Sequence, residues 1–303
     1  MPYTDIDTVA TNPATAGGLH VWGWEIALYL FLGGLVAGLL VLSGLAHRRA
    51  ERPPQAAAFW GPLLAPVLLS AGMFALFLDL EKKLHMWRFY TTFELKSPMS
   101  WGAWILVLVF PAAALFAWAA WTEFRPGREP GGFFGRRAIA GLNIVLGAAL
   151  GVYTGILLGS LGARPLWNTP LLGPLFLASG MSGAAALLSL LEKSEEGRAS
   201  LARLDAKLLG VEALIFALIF LGLATGGAAQ RSAASLFFGG PYTAVFWIGV
   251  VFVGMIAPLL LERLVRSGRA QATAWPQILV LAGGATLRAV IVLAGQASRW
   301  EVL

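Results

Sequence analysis

The 303 residues contain no cysteine and three histidines, and only 13% of them are charged. Without cysteine, the chain itself has no disulfides, no thiolate-held iron–sulfur cluster and no cysteine redox chemistry. A bis-histidine haem needs imidazoles at matched depth between helices. His20, His47 and His85 instead fall at the ends of apolar runs or between them, so no haem is expected. So little charge, set against 58% hydrophobic residues, leaves too little polar surface for a soluble globule. No phosphate-binding loop, HExxH, GxSxG or dinucleotide GxGxxG pattern is present. Residues 1–18 are polar and carry no Lys or Arg. They lack the basic start and apolar middle of a cleavable signal, so the first apolar run is expected to serve as its own insertion signal.

What the chain does have is long apolar runs. A spanning helix needs about 20 mostly apolar residues to cross a ~30 Å hydrocarbon core. Eight runs meet that length, at about 21–46, 59–82, 100–122, 137–162, 170–192, 207–227, 241–262 and 275–297. The expectation is an all-α integral membrane protein forming one membrane domain over 1–303, with no room for a separate soluble domain. Lys and Arg set its orientation. Fourteen lie in the loops after the first, third, fifth and seventh runs, and seven in the other loops and the C-terminal tail. The first group of loops should face the cytoplasm, with both termini on the other side. The +6 formal charge is therefore read as topology, with membrane lipid rather than nucleic acid as the surrounding partner. The loop "KKLHMWRFYTTFELKSPMS" is the outlier, being long, aromatic, basic and external.

With the orientation assigned, most intramembrane polar groups fall in the outer third: Glu25 and Tyr29 on the first run, Asp79 on the second, Tyr153 on the fourth, and Arg288 with Gln296 on the eighth. His20 precedes Glu25, and Arg164 opens the loop after the fourth run. Charges in a bilayer are costly and usually face a bundle interior or a cavity, so several at one depth point to a common polar pocket. Blander roles compete. Asp79 could pair with Lys83 one helical turn on, Glu25 could snorkel to the headgroups, the tyrosines could be ordinary amphipathic aromatics, and Arg288 could form a structural ion pair with Asp79 or Glu25. Gly147, Gly151, Gly155 and Gly159 recur every four residues, which predicts a closely approaching neighbour with Tyr153 on the other face. Toward the cytoplasm, Asn143, Glu192, Glu212 and Glu262 are either an inner proton path or solvated helix ends. A half-buried polar pocket of this kind suits an amphipathic ring, and a membrane quinone is the expected occupant.

The stretches "WEIALYLFLGGLVAG", "LDL" followed by "SPMSWGAW", "YTGILLGSLGARPLWN", "LER" and "LRAVIVLAGQ" occur in that order along most of the chain. In order and spacing they resemble the NrfD-like family of polysulfide reductase membrane subunits. The resemblance implies eight helices built as two four-helix bundles, without a haem or cluster of their own. It implies a partner iron–sulfur subunit of the four-cluster type, which in turn serves a molybdenum or tungsten pterin catalytic subunit. It further implies a menaquinone or ubiquinone held at Tyr29 and Tyr153 with Glu25 one turn away, although the family often has histidine where this chain has Tyr29. Asp79, Arg164, Arg288 and Gln296 also fall in matching motifs. The basic external loop, with Lys82, Lys83, Arg88 and Lys96, is then the expected docking surface.

The expected function is thus a quinone-handling anchor in a prokaryotic inner membrane. It contributes the quinone reaction site while the catalytic centre lies in a partner. The rival is a secondary transporter or ion-translocating protein, which would call for inverted repeats and midplane sites; the chain has no convincing repeat.

Overall fold

The computed structural model describes residues 22–49, 54–80, 91, 94, 97–123, 133–160, 164–267, 269, 271 and 273–298. Among them the regular structure is helical, with no strand. In hydrocarbon every backbone N–H and C=O needs an internal partner, and a helix supplies one within its own segment. Eight helices are long and apolar enough to span a membrane. These are α1 (Trp24–Arg49), α2 (Ala56–Asp79), α3 (Pro98–Glu123) and α4 (Phe133–Gly159), followed by α5 (Leu172–Leu191), α6 (Glu195–Thr225), α7 (Val245–Arg266) and α8 (Trp275–Ala297). A short helix, Ala228–Ser235, links α6 to α7. His20, Lys82, Lys83, Arg88 and Lys96 lie outside the described residues.

Helix α1 is the hub, packing against α2, α4, α5 and α8. In its most apolar stretch 78% of residues are buried, against 33% in α2, α6 and α7. Small residues make this possible. A Cβ at Gly38 would run into the Gly180 carbonyl of α5, and one at Gly180 into the Gly34 carbonyl of α1. The α4 glycine stripe behaves as its spacing predicts, with Gly147 against Ala37 and Leu40 of α1 and Gly155 against Leu172 and Gly173 of α5.

Two helices carry π-helical stretches, Ala56–Trp60 in α2 and Val245–Ile256 in α7. Each ends two residues before a proline, Pro62 or Pro258. A proline ring crowds the carbonyl four residues back and offers no N–H, so the preceding turn widens.

At three helix ends the departure from the sequence expectation bears on polar residues. Helix α6 begins at Glu195 rather than near 207. Ser194 caps it by accepting from Gly197 N–H at 3.1 Å, and Glu195 and Glu196 in the first turn suit the helix dipole. At 31 residues it is ~46 Å long, well beyond a ~30 Å core. Helix α7 runs on to Arg266, which puts Glu262 one turn inside its end. Helix α2 stops at Asp79, and Leu80 is already extended at ψ 121°. Lys83, considered from sequence as a partner of Asp79, lies outside the described residues.

Candidate functional site

On the face that carries the α1 N-terminus, four helices meet around a cavity of about 120 Å³. Tyr29 comes from α1, Phe77 and Leu80 from the end of α2, Met99 and Gly102 from the start of α3, and Tyr153 from α4. Both tyrosines are 5% exposed. Among the described residues the rest of the lining is apolar, so the two hydroxyls are the polar side-chain features these residues bring to the cavity. Sequence reasoning places this pocket among α1, α2 and α4 and misses the contribution of α3. Gly102 sets the fit: the Tyr153 hydroxyl rests on its backbone, where a Cβ would overlap the phenol.

Glu25 and Asp79 sit beside the cavity on the same face. Both are half-buried, and they are close enough for their charges to repel. The other expected members of this pocket have separate partners. Gln296 clamps the chain entering α1, accepting from Trp22 N–H and donating to the Trp22 carbonyl, each at 3.0 Å. Arg164 donates to the Ser298 carbonyl at 3.0 Å, tying the α4–α5 connection to the end of α8. Nearby, Trp167 stacks on Trp22 at 5.3 Å and donates its indole N–H to the Ile291 carbonyl at 2.9 Å.

Arg288 lies deeper, wholly buried where α8 meets α1 and α5. It donates to the Phe176 carbonyl at 2.7 Å and to the Leu30 carbonyl at 3.4 Å, with its guanidinium 3.8 Å from the Phe176 ring centre. The carboxylate it feels is Glu212, not the Asp79 or Glu25 considered from sequence.

The four groups expected toward the cytoplasm separate. Asn143 ties α4 to α3 through the Ala112 carbonyl at 3.2 Å and also bonds the Ile139 carbonyl at 2.9 Å. Glu192 terminates α5 and accepts from Ala56 N–H at 2.8 Å, and from Ser194 through its N–H at 3.0 Å and its hydroxyl at 2.8 Å. Burial alone would raise its pKa, but these hydrogen bonds outweigh that and hold the carboxyl below the usual glutamate range. Glu212 and Glu262 belong together, joined by Asp205, which the apolar runs alone place in a loop. A signal for it does exist in the sequence: the Ser194 cap, followed by acidic residues and an unbroken helical run.

Residues 11–298 match the family described as "Polysulphide reductase, NrfD". The C subunit of polysulfide reductase from Wolinella succinogenes is 32% identical over 300 residues, which cover 91% of this protein and 94% of that one. Protein NrfD of Escherichia coli K12 is 29% identical over 309 residues, covering 91% and 95%. The NrfD homologue of Haemophilus influenzae is 29% identical over 270 residues, covering 79% and 82%. This multi-pass helical membrane protein therefore belongs to the NrfD, polysulphide reductase, family.

Proposed function

We propose that the chain is the quinone-handling membrane subunit of a redox complex, with the ring seated between Tyr29 and Tyr153. The observation that carries this reading is two buried hydroxyls on one otherwise apolar cavity in a chain of this family. A flat ring with a carbonyl oxygen on either side matches that donor set. The volume of about 120 Å³ is of the order of the ~150 Å³ apolar cavity that admits benzene, so it fits a ring whose tail extends into lipid. Bound there, a quinone would take up or give up electrons together with protons. The tyrosine hydroxyls hydrogen-bond its oxygens and fix its orientation. Glu25 and Asp79, mutually repelling at the same face, exchange protons with water.

The electrons pass to or from a docked iron–sulfur subunit of the four-cluster type, and through it a molybdopterin or tungstopterin catalytic subunit. The docking surface is the basic loop with Lys82, Lys83, Arg88 and Lys96, which the positive-inside count assigns to the same side of the membrane as His20. The helices form two four-helix bundles in a prokaryotic inner membrane, and both termini and the docked partner lie on the non-cytoplasmic side. The chain supplies the quinone reaction site; the catalytic centre is the partner's.

Tyr153→Phe tests this directly. Quinone-linked turnover of the complex should fall while reduction of soluble dyes by the catalytic partner persists. Equal loss of both activities would overturn the assignment. Purification from native membranes should yield iron, molybdenum or tungsten, and about one quinone per chain. A metal-free preparation without quinone or partner subunits, from cells expressing the whole complex, would favour a transporter.

A further inference from the structure

At the end of the protein opposite the tyrosine pocket, a cavity of about 660 Å³ opens where four helices come together. Helix α6 packs on α5 and α7 on α8, and the cavity lies in the seam between these two pairs. Leu190 comes from α5, Arg198 and Ala202 from α6, Val265 and Arg266 from α7, and Gln277 from α8. Its size falls in the roughly 300–1,000 Å³ range of sites that take small molecules.

Exposed tryptophans set its depth. Trp60 near the start of α2, Trp121 near the end of α3 and Trp275 at the start of α8 lie at this end of the bundle, all at least 40% exposed. Tryptophans so placed mark the headgroup level of a bilayer. Trp275 is flanked by Ala274 and Pro276, both of them in the cavity wall. Helix α6 gives the same level, because Ala202 stands ~34 Å from the far end of the helix at Thr225, just past a ~30 Å hydrocarbon core. The cavity therefore opens among headgroups, and the positive-inside count puts it in the cytoplasmic leaflet.

Among the described residues, the charged side chains that line it are two of each sign: Glu195, Arg198, Glu262 and Arg266. Glu262 and Arg266 form an ion pair at 3.5 Å, yet Glu262, only 8% exposed, takes no hydrogen bond at Oε2 among the described residues. Glu195 and Arg198 are exposed and have no ion-pair partner among them. Asp205, one turn past Ala202 on α6, is bonded to Ser182 and lies outside the lining. Between the charges the wall is apolar at Leu190, Ala199, Ala202 and Val265, while Thr273 and Gln277 add a hydroxyl and an amide. A soluble anion would satisfy the arginines but oppose both carboxylates and leave the apolar wall wet. A phosphodiester that carries an ammonium group at one end and acyl chains at the other answers all three features. Guanidinium groups bind phosphate oxygens through paired hydrogen bonds, and an ammonium offers three donors to carboxylates.

We propose that this cavity holds the headgroup of one aminophospholipid, of the phosphatidylethanolamine class. Its phosphate lies between Arg198 and Arg266 and its ammonium between Glu195 and Glu262. Its acyl chains run into the hydrocarbon along α6 and α7, which expose Val211, Leu214, Leu260 and Leu264. Phosphatidylglycerol has the phosphate but no cation, and so leaves the two carboxylates unanswered. Phosphatidylcholine has a cation without N–H donors. Held in the seam, the lipid ties the α5–α6 pair to the α7–α8 pair.

The protein, purified with the subunits that accompany it and reconstituted into phosphatidylcholine vesicles with a trace of diazirine-bearing phosphatidylethanolamine, tests this on the unaltered chain. After illumination, peptide mapping should place adducts mainly on Leu190, Ala199, Ala202 and Val265. Unlabelled phosphatidylethanolamine should suppress them, and equal amounts of phosphatidylglycerol or inorganic phosphate should not. Arg198→Gln combined with Arg266→Gln should lower the labelling about tenfold. Adducts spread evenly over the lipid-facing helices, or wild-type labelling of the double variant, would overturn the proposal. Suppression by phosphatidylglycerol as strong as by phosphatidylethanolamine would mark a site for acidic lipids, and suppression by inorganic phosphate a site for a soluble anion; either result overturns the aminophospholipid. If the double variant does not assemble, the wild-type competition decides. None of these readouts depends on what the tyrosine pocket binds.

Discussion

The two polar regions of this protein solve the same problem in opposite ways. Around Tyr29 and Tyr153, α1 to α4 present neutral hydroxyls to an apolar cavity and keep the carboxylates, Glu25 and Asp79, half-buried at the edge. In α5 to α8 the charges are fully inside, with Arg288, Glu212 and Asp205 supported by serine hydroxyls and backbone carbonyls. Neutral donors can wait in a dry pocket for a ligand at modest cost, whereas buried charges need permanent partners. The first region therefore leaves an apolar cavity edged by neutral polar groups, and the second locks its charges into fixed partners.

Breaking the second region should give the larger effect. Arg288→Met strips Glu212 of its cation and frees the Leu30 and Phe176 carbonyls, so it should cost about 3–5 kcal/mol of stability. Thermal unfolding in detergent would show this, and Arg288→Met with Glu212→Gln should recover part of the loss. Full additivity of the two changes would mean that the residues are not coupled.

In the first region the fold should survive and function should suffer. Tyr153→Phe removes one hydrogen bond from the pocket, and quinone-linked turnover is expected to drop about tenfold with little change in melting. Gly102→Ala leaves every polar group in place but pushes the Tyr153 phenol aside, so its turnover should fall by a similar factor. Normal turnover in Gly102→Ala would show that the position of Tyr153 is not critical.

The smallest effect belongs to Glu192, which serves neither region. Glu192→Gln should cost about 1 kcal/mol by weakening the link from α5 to the start of α2. Its folded pKa is lowered, so the stabilisation is present above the unfolded glutamate pKa and is lost as pH falls through the folded value. Melting followed from neutral to acid pH should show wild type and variant converging at the acid end.

The sequence makes the first region easier to read than the second. Tyr29 and Tyr153 are isolated polar residues on apolar helices, and counting turns from each helix end puts them at one depth. Met99 and Gly102 carry no such signal, because a small or apolar residue facing a cavity looks the same as one facing lipid. Asp205 is hidden in a charged run that reads as loop, since nothing in hydropathy shows a helix continuing beyond the bilayer as α6 does. The partner of Arg288 depends on which way α8 is turned, and that is decided by packing such as the Gly254–Gly283 contact between α7 and α8. Helix existence follows from apolar length, whereas helix azimuth follows from side chains on other helices.

The quinone-handling reading requires a ring in the cavity between α1 and α4. A photoreactive quinone analogue activated in native membranes, followed by peptide mapping, tests it most directly. With the ring in that cavity, adducts are expected on residues lining it, such as Met73, Phe77, Met99 and Tyr153, and excess natural quinone should suppress them. Adducts confined to α6, α7 and α8, or adducts that natural quinone does not suppress, would contradict it.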